Sequence, residues 1–167
     1  MLRAVIIFVV VMCAYYSIDY FTSFLGSDFR DWYLAQIASA SAGLLTVLGH
    51  EATASHTLIR SSEFSVNIVA GCDALEPSAA FVAAVLASPV AFRRKLPGMV
   101  IGVISLLTIN LLRIVSLFFI GIHFHSIFDM MHYEVWQAAF IVLAIAFWAI
   151  WVQWATSSRD GKADVST

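Results

Sequence analysis

Charge is what this sequence has least of. Only 12% of its 167 residues are Asp, Glu, Lys or Arg, against about 25% in an ordinary soluble domain. The formal net charge is −2, so the chain offers no basic field for a nucleic acid. Cysteine is nearly as scarce. Cys13 and Cys72 are too few for a disulfide framework. One lies near the middle of an apolar run and the other at the end of a run, about 10–15 Å apart in depth, whereas a disulfide needs Cα atoms within about 7 Å. Two free thiols are expected. No internal repeat and no linker divides the chain. Residues 1–155 read as a single domain, and 156–167 as a polar tail expected to be disordered. The start, Met1-Leu2-Arg3 before an apolar stretch, resembles a signal peptide, but no small-x-small cleavage site precedes Gly26-Ser27, and retention is expected.

What the chain has in excess is apolar surface: 61% of residues are hydrophobic and the mean hydropathy is +0.88. A water-soluble protein this short has no core large enough to bury it, so lipid is its natural solvent. A crossing helix needs about 20 apolar residues. Five candidates follow: about Ala4 to Leu25, the Ala/Ser-rich stretch Trp32 to Gly49, Ala74 to Phe92, Pro97 to Ile122, and Val135 to Ala155. The expected fold is all-α, a polytopic membrane helix bundle of about five spans in the lipid bilayer. Pro97 is expected near the first helical position, where its missing N–H costs nothing. Trp136, Trp148, Trp151 and Trp154 suit interfacial belts. Between the second and third candidates, Phe64 to Ile68 alternates apolar with polar, the period of a strand. Residues His56 to Ile59 are its expected partner and Arg60 to Glu63 the turn, a small extracytoplasmic β-hairpin.

Arg93-Arg94-Lys95 is the only dense basic cluster, and short cytoplasmic loops carry the Lys/Arg excess. With that cluster inside, the hairpin and the loop His123 to His132 lie outside. If both of the first two segments cross, Met1 is outside too, against the mild inside preference of Arg3; one of the two lying along the surface is the alternative.

Three chemically unusual residues then share one depth. Cys72 closes the hairpin segment at the outer boundary. Arg113 stands about 24 Å along a helix rising from Pro97, close to the far side of a core about 30 Å thick. His132 opens the last candidate span. Arginine inside a span is expensive and usually faces the bundle interior or a watery cavity. Asn110, one turn below on the same face, favours an inward Arg113 over one that snorkels to the surface. A thiol beside a guanidinium and an imidazole is expected to have a lowered pKa and to act as a nucleophile. Taken singly, each residue has a plainer reading: Cys72 a small buried thiol, His132 interfacial decoration. Glu76, four residues after Cys72, orients a partner or favours a helix N-terminus. His123, His125, Asp129 and His132 match no standard helix-borne metal motif, so no metal and no cofactor is expected.

The ordered set of short motifs resembles the exosortase/archaeosortase family, most closely the exosortase H branch. Gly71-Cys72-Asp73-Ala74-Leu75 after an alternating strand is similar to its cysteine motif, and Asn110-Leu111-Leu112-Arg113-Ile114 to its Asn-x-x-Arg motif. Met131-His132-Tyr133-Glu134-Val135-Trp136-Gln137 is similar to its histidine segment. The likeness covers roughly Tyr33 to Trp151. One departure stands out, since the family usually has Ser-Gly or Asn-Gly after the cysteine where this chain has Asp73-Ala74. The resemblance implies a membrane-embedded cysteine protease or transpeptidase at the outer face of the plasma (inner) membrane. Its partners would be secreted proteins ending in a short motif, a hydrophobic span and a basic tail. Cys72 would be the nucleophile, His132 the general acid/base and Arg113 the oxyanion stabiliser, with Asn110 and Glu76 in support. Two other classes stay open: a small transporter or channel subunit, and a non-catalytic membrane assembly protein. In these, Arg113 holds an anion or a partner's acidic residue.

Overall fold

The computed structural model describes residues 1–24 and 28–160. The chain is mostly helical and carries one small sheet. Helix α1 (Leu2–Phe24) precedes α2 (Asp28–Val47), and strands β1 (Thr53–Ser55), β2 (Leu58–Arg60) and β3 (Ser65–Asn67) follow. Then come α3 (Leu75–Ala87) and α4 (Phe92–His123). A 3-10 turn (His125–Ile127), one helical turn α5 (Phe128–Met130) and a π turn (Met131–Val135) lead into α6 (Trp136–Asp160).

Three helical stretches are long and apolar enough to cross a membrane: Leu2–Phe21, Phe92–His123 and His125–Ser157. Large apolar side chains along them lie exposed, among them Val5, Val9, Ile101, Ile104, Ile141 and Ile145. That is the surface of a protein solvated by lipid. The other two expected spans do not qualify. α2 has 20 residues but opens on the charged Asp28-Phe29-Arg30-Asp31 and continues through Ala and Ser. α3 has only 13 residues, about 20 Å, because Ser88 turns extended (φ −67°, ψ 140°) ahead of Pro89, which excludes helix from the residue before it.

Other boundaries also move. α4 starts at Phe92, so Pro97 sits in its second turn and not at its first position. The apolar 97–122 run therefore gains a basic first turn, whose long side chains find carbonyls. Arg94 Nη1 donates to Ala155 O at 2.5 Å and Lys95 Nζ to Leu86 O at 2.6 Å, the latter one of the last four carbonyls of α3, which lack an intrahelical partner. Trp151 and Trp148 join the same corner through Arg94 O and Ser88 Oγ. α6 continues to Asp160, through the first five residues of the polar stretch; residues 161–167 lie outside the described part, as do 25–27 of the expected first loop. The expected hairpin is present as β2 and β3, with Arg60 opposite Ser65 and Leu58 opposite Asn67. The sheet has a third strand, β1, on the far side of β2.

The interior divides into two apolar clusters. One joins α2, the sheet and the C-terminal half of α4 through Leu34, Leu45, Ile59, Ile68, Ile114 and Phe118. The other joins α3, α4 and α6 through Phe81, Val85, Leu106, Phe140 and Trp151. Gly102 lets α4 come against the Phe81 ring, where a Cβ would collide. Cys72 packs on the first cluster and Ala74 belongs to the second. The Gly71–Ala74 turn thus lies at the seam between them.

Candidate active site

That turn is built by local backbone chemistry. Cys72 N–H donates to Val69 O at 3.0 Å. Gly71 has φ 91° and Ala74 φ 57°, the left-handed region that glycine enters freely and alanine does not. Ala74 has a side chain and makes this turn at a steric cost. Asp73 Oδ1 then accepts from the backbone N–H of Leu75 at 3.2 Å, satisfying one of the free donors of the α3 N-terminus. Glu76 lies in that first turn, where a carboxylate complements the helix dipole.

Two elements converge on Cys72. From α4, Asn110 Nδ2 donates to the Cys72 carbonyl at 2.9 Å. From the π turn, His132 brings Nε2 within 3.0 Å of Cys72 Sγ. Arg113, one helical turn after Asn110, donates through Nη2 to the backbone carbonyl of His132 at 3.4 Å, and its Cζ lies 5.5 Å from the Phe140 ring centroid. Asn110 is 1% exposed and Arg113 4%, so both face the interior and Arg113 does not snorkel. Cys72, Arg113 and His132 line one cavity of about 290 Å³, which continues past Tyr133 and Gln137.

His132 owes its position to the π turn. A π turn widens the helix by one residue and is frequent at functional sites; here it directs His132 toward Cys72 before α6 resumes regular geometry. The imidazole is held between rings, Phe128 stacked at 5.8 Å and Tyr133 tilted at 4.5 Å.

Electrostatically the thiol departs from the expectation. Burial pushes the Cys72 pKa up, and it outweighs the opposing pull of the Arg113 guanidinium and of the hydrogen bond at Val69. Desolvation penalises the charged form, so burial favours the neutral thiol beside the imidazole.

Glu76 does not join Cys72. Its Oε1 accepts a 2.5 Å hydrogen bond from Tyr16 of α1, and it lines a separate cavity of about 220 Å³ that Arg113 and Gln137 also border. The histidines diverge: His123 Nδ1 bonds Phe119 O at 3.0 Å, and His125 rests against Phe64. Among the described residues no three metal-ligating side chains cluster. Cys13 and Cys72 are both free thiols.

Two contributors were missed in the sequence. Tyr33 of α2 donates to the Asp73 carbonyl at 3.0 Å, and Asp73 itself is 4% exposed. A carboxylate adjacent to a candidate nucleophile was the available signal for Asp73; Tyr33 had none. Comparison of the chain with family models, curated proteins and solved structures gave no match.

Proposed function

We propose that this chain is a membrane-embedded cysteine protease or transpeptidase of the exosortase kind, cleaving C-terminal sorting signals of secreted proteins. The observation that carries the reading is the 3.0 Å contact between Cys72 Sγ and His132 Nε2 in a cavity bordered by a buried guanidinium. A nucleophile within hydrogen-bond reach of a base, with the base held by a further group, is the arrangement covalent catalysis requires.

In the reaction, His132 Nε2 takes the Cys72 proton as sulfur attacks the scissile carbonyl. Because burial favours the neutral thiol, proton transfer to His132 accompanies the attack as a general-base step. A thioacyl enzyme forms as the carbonyl–nitrogen bond breaks, and His132 returns the proton to the leaving amine. Water or an acceptor amine then resolves the thioester. Arg113 stabilises the developing oxyanion, a role worth about 3–4 kcal/mol for one preorganised donor. Its Nε has no partner among the described residues, leaving one donor of the rigid fork uncommitted. Asn110 is a positioning residue, fixing the carbonyl of Cys72.

The finer topology belongs to the same proposal. With Arg93-Arg94-Lys95 in the cytoplasm of a plasma-membrane protein, the site opens on the extracytoplasmic side, and α2 and α3 complete a five-helix bundle. A substrate tail with a span and a basic end would hold its motif at that boundary, and confinement in the membrane plane would raise its effective concentration.

The test is processing of a tailed substrate by full-length variants. Cys72→Ala and Arg113→Ala are expected to abolish it while the protein still inserts; full processing by either overturns the assignment. Arg113→Lys, a point charge in place of a planar fork, is expected to fall well short of the parent. The unpartnered Arg113 Nε also favours a second reading, an anion or acidic-partner site. Ion flux or complementation that survives Cys72→Ala would select it.

A further inference from the structure

The sheet leaves one edge open beside the nucleophile. β3 is terminal in the order β1-β2-β3. In its antiparallel pairing with β2, Ser61 N–H bonds Phe64 O at 3.0 Å and Ile68 N–H bonds Thr57 O at 2.8 Å. Hydrogen-bonded rungs alternate in such a ladder, so Ile59 and Val66 form the rung between them. Ser65 and Asn67 therefore turn their backbone N–H and C=O away from β2, toward the free edge. The wall of the cavity holding Cys72 and His132 is made by this same strand, residue by residue from Phe64 to Val69.

An unpaired strand edge is a template for another extended chain. In a protein solvated by lipid, free main-chain donors and acceptors must meet water or a partner and not hydrocarbon. Strand addition to such an edge draws affinity from main-chain hydrogen bonds and specificity from alternate side chains. Here Ile114, Leu117 and Phe128 supply an apolar wall opposite the strand.

Resting on the cysteine-peptidase reading, we propose that the substrate binds as an extended segment added to β3. Its main chain pairs with Ser65 and Asn67, and that pairing delivers the scissile carbonyl to Cys72. The ligand is a linear, unfolded polypeptide recognised through its backbone, with apolar side chains at alternate positions. A folded domain or a helix fits neither the edge nor the cavity.

The test uses the full chain in detergent with Cys13→Ser and an Ala/Val pentapeptide chloromethyl ketone as probe. Cys72 sulfur displaces chloride from the probe and forms a thioether, read by mass spectrometry. Rates are taken relative to chloroacetone on the same protein. The peptide is expected to react at least about tenfold faster than chloroacetone. N-methylation of its amides, one at a time, is expected to cancel that advantage at every second position and to spare the others, a main-chain hydrogen bond in a buried site being worth about tenfold. Ser65→Pro and Asn67→Pro, which remove edge donors without touching a rung to β2, are expected to flatten the alternation. No advantage for the peptide, equal sensitivity at every amide, or alternation that persists in both proline variants overturns the proposal. Failure of the enzyme reading looks different: substrate processing would then survive Cys72→Ala.

Discussion

Cys72 and Ala74 stand two residues apart in one turn, and the two are held by opposing effects of different kinds. For Cys72 the balance is electrostatic: burial raises the thiol pKa and Arg113 pulls it back. Since the thiolate is the reactive form, alkylation by iodoacetamide should climb about tenfold per pH unit below the pKa. It is expected to go on climbing beyond the pH at which an exposed thiol levels off. Arg113→Ala removes the favourable charge, so its profile lies at still higher pH. A profile displaced to lower pH in that variant would place the guanidinium out of electrostatic reach. For Ala74 the balance is steric. Its left-handed backbone costs about 1–2 kcal/mol. Glycine would relieve this but lose about 0.4–1 kcal/mol through the unfolded chain and roughly 0.8 kcal/mol of methyl burial. Ala74→Gly is thus expected to melt close to the parent. Ala83→Gly, at a fully buried position in α3 with no strain to relieve, should lose about 1–2 kcal/mol. Equal losses at the two sites would remove the strained-turn account.

At the scale of elements, the parts written in composition were readable and those written in single dihedrals were not. Apolar runs announced α1, α4 and α6 because lipid demands them, and the Phe64–Ile68 alternation announced the hairpin. α3 hid inside a continuous apolar run: Ser88-Pro89 ends it after 13 residues, and the run of hydropathy passes over that break. β1, Thr53-Ala54-Ser55, has no apolar alternation and exists because β2 offers it an edge. Equal depth for Cys72, Arg113 and His132 followed from counting residues; their contact depends on a π turn with no sequence signature. That turn carries its own prediction. Deleting Glu134, which is exposed, would let the wide turn close into ordinary α-helix, rotating His132 by about 100° relative to α6. Processing should be lost with helix content by circular dichroism unchanged, whereas Glu134→Ala should keep activity. An active deletion variant would mean the π geometry does not aim the imidazole.

The whole molecule bears on the parity question that the N-terminus raised. α4, at 32 residues, is about 48 Å long and exceeds a hydrocarbon core of about 30 Å, so its two ends lie on opposite sides. Gly121 abuts Phe64, and His50 packs on Phe119, which puts the sheet at the His123 end. The end of α6 meets Arg94 at the other. α1 runs antiparallel to α3: Tyr16 bonds Glu76 near the site, while Arg3 lies within electrostatic reach of Lys95. The N-terminus therefore sits on the side of the basic cluster, where Arg3 agrees with the positive-inside rule. α2 need not cross. Its first half borders Ile104 to Leu111 and its second half shares a core with Ile114 and Phe118, so it lies along the C-terminal part of α4. With α2 packed beside that part of α4 and not spanning, a cytoplasmic Met1 and an extracytoplasmic site become compatible. Single cysteines in a Cys13→Ser, Cys72→Ser background test this with a membrane-impermeant maleimide. Ser55→Cys and Ser126→Cys are expected to react in intact cells, and Leu2→Cys and Arg93→Cys only after the membrane is opened. Leu2→Cys reacting from outside would require α2 to cross as a full span, and the packing of α1 along α3 would then have to run the other way.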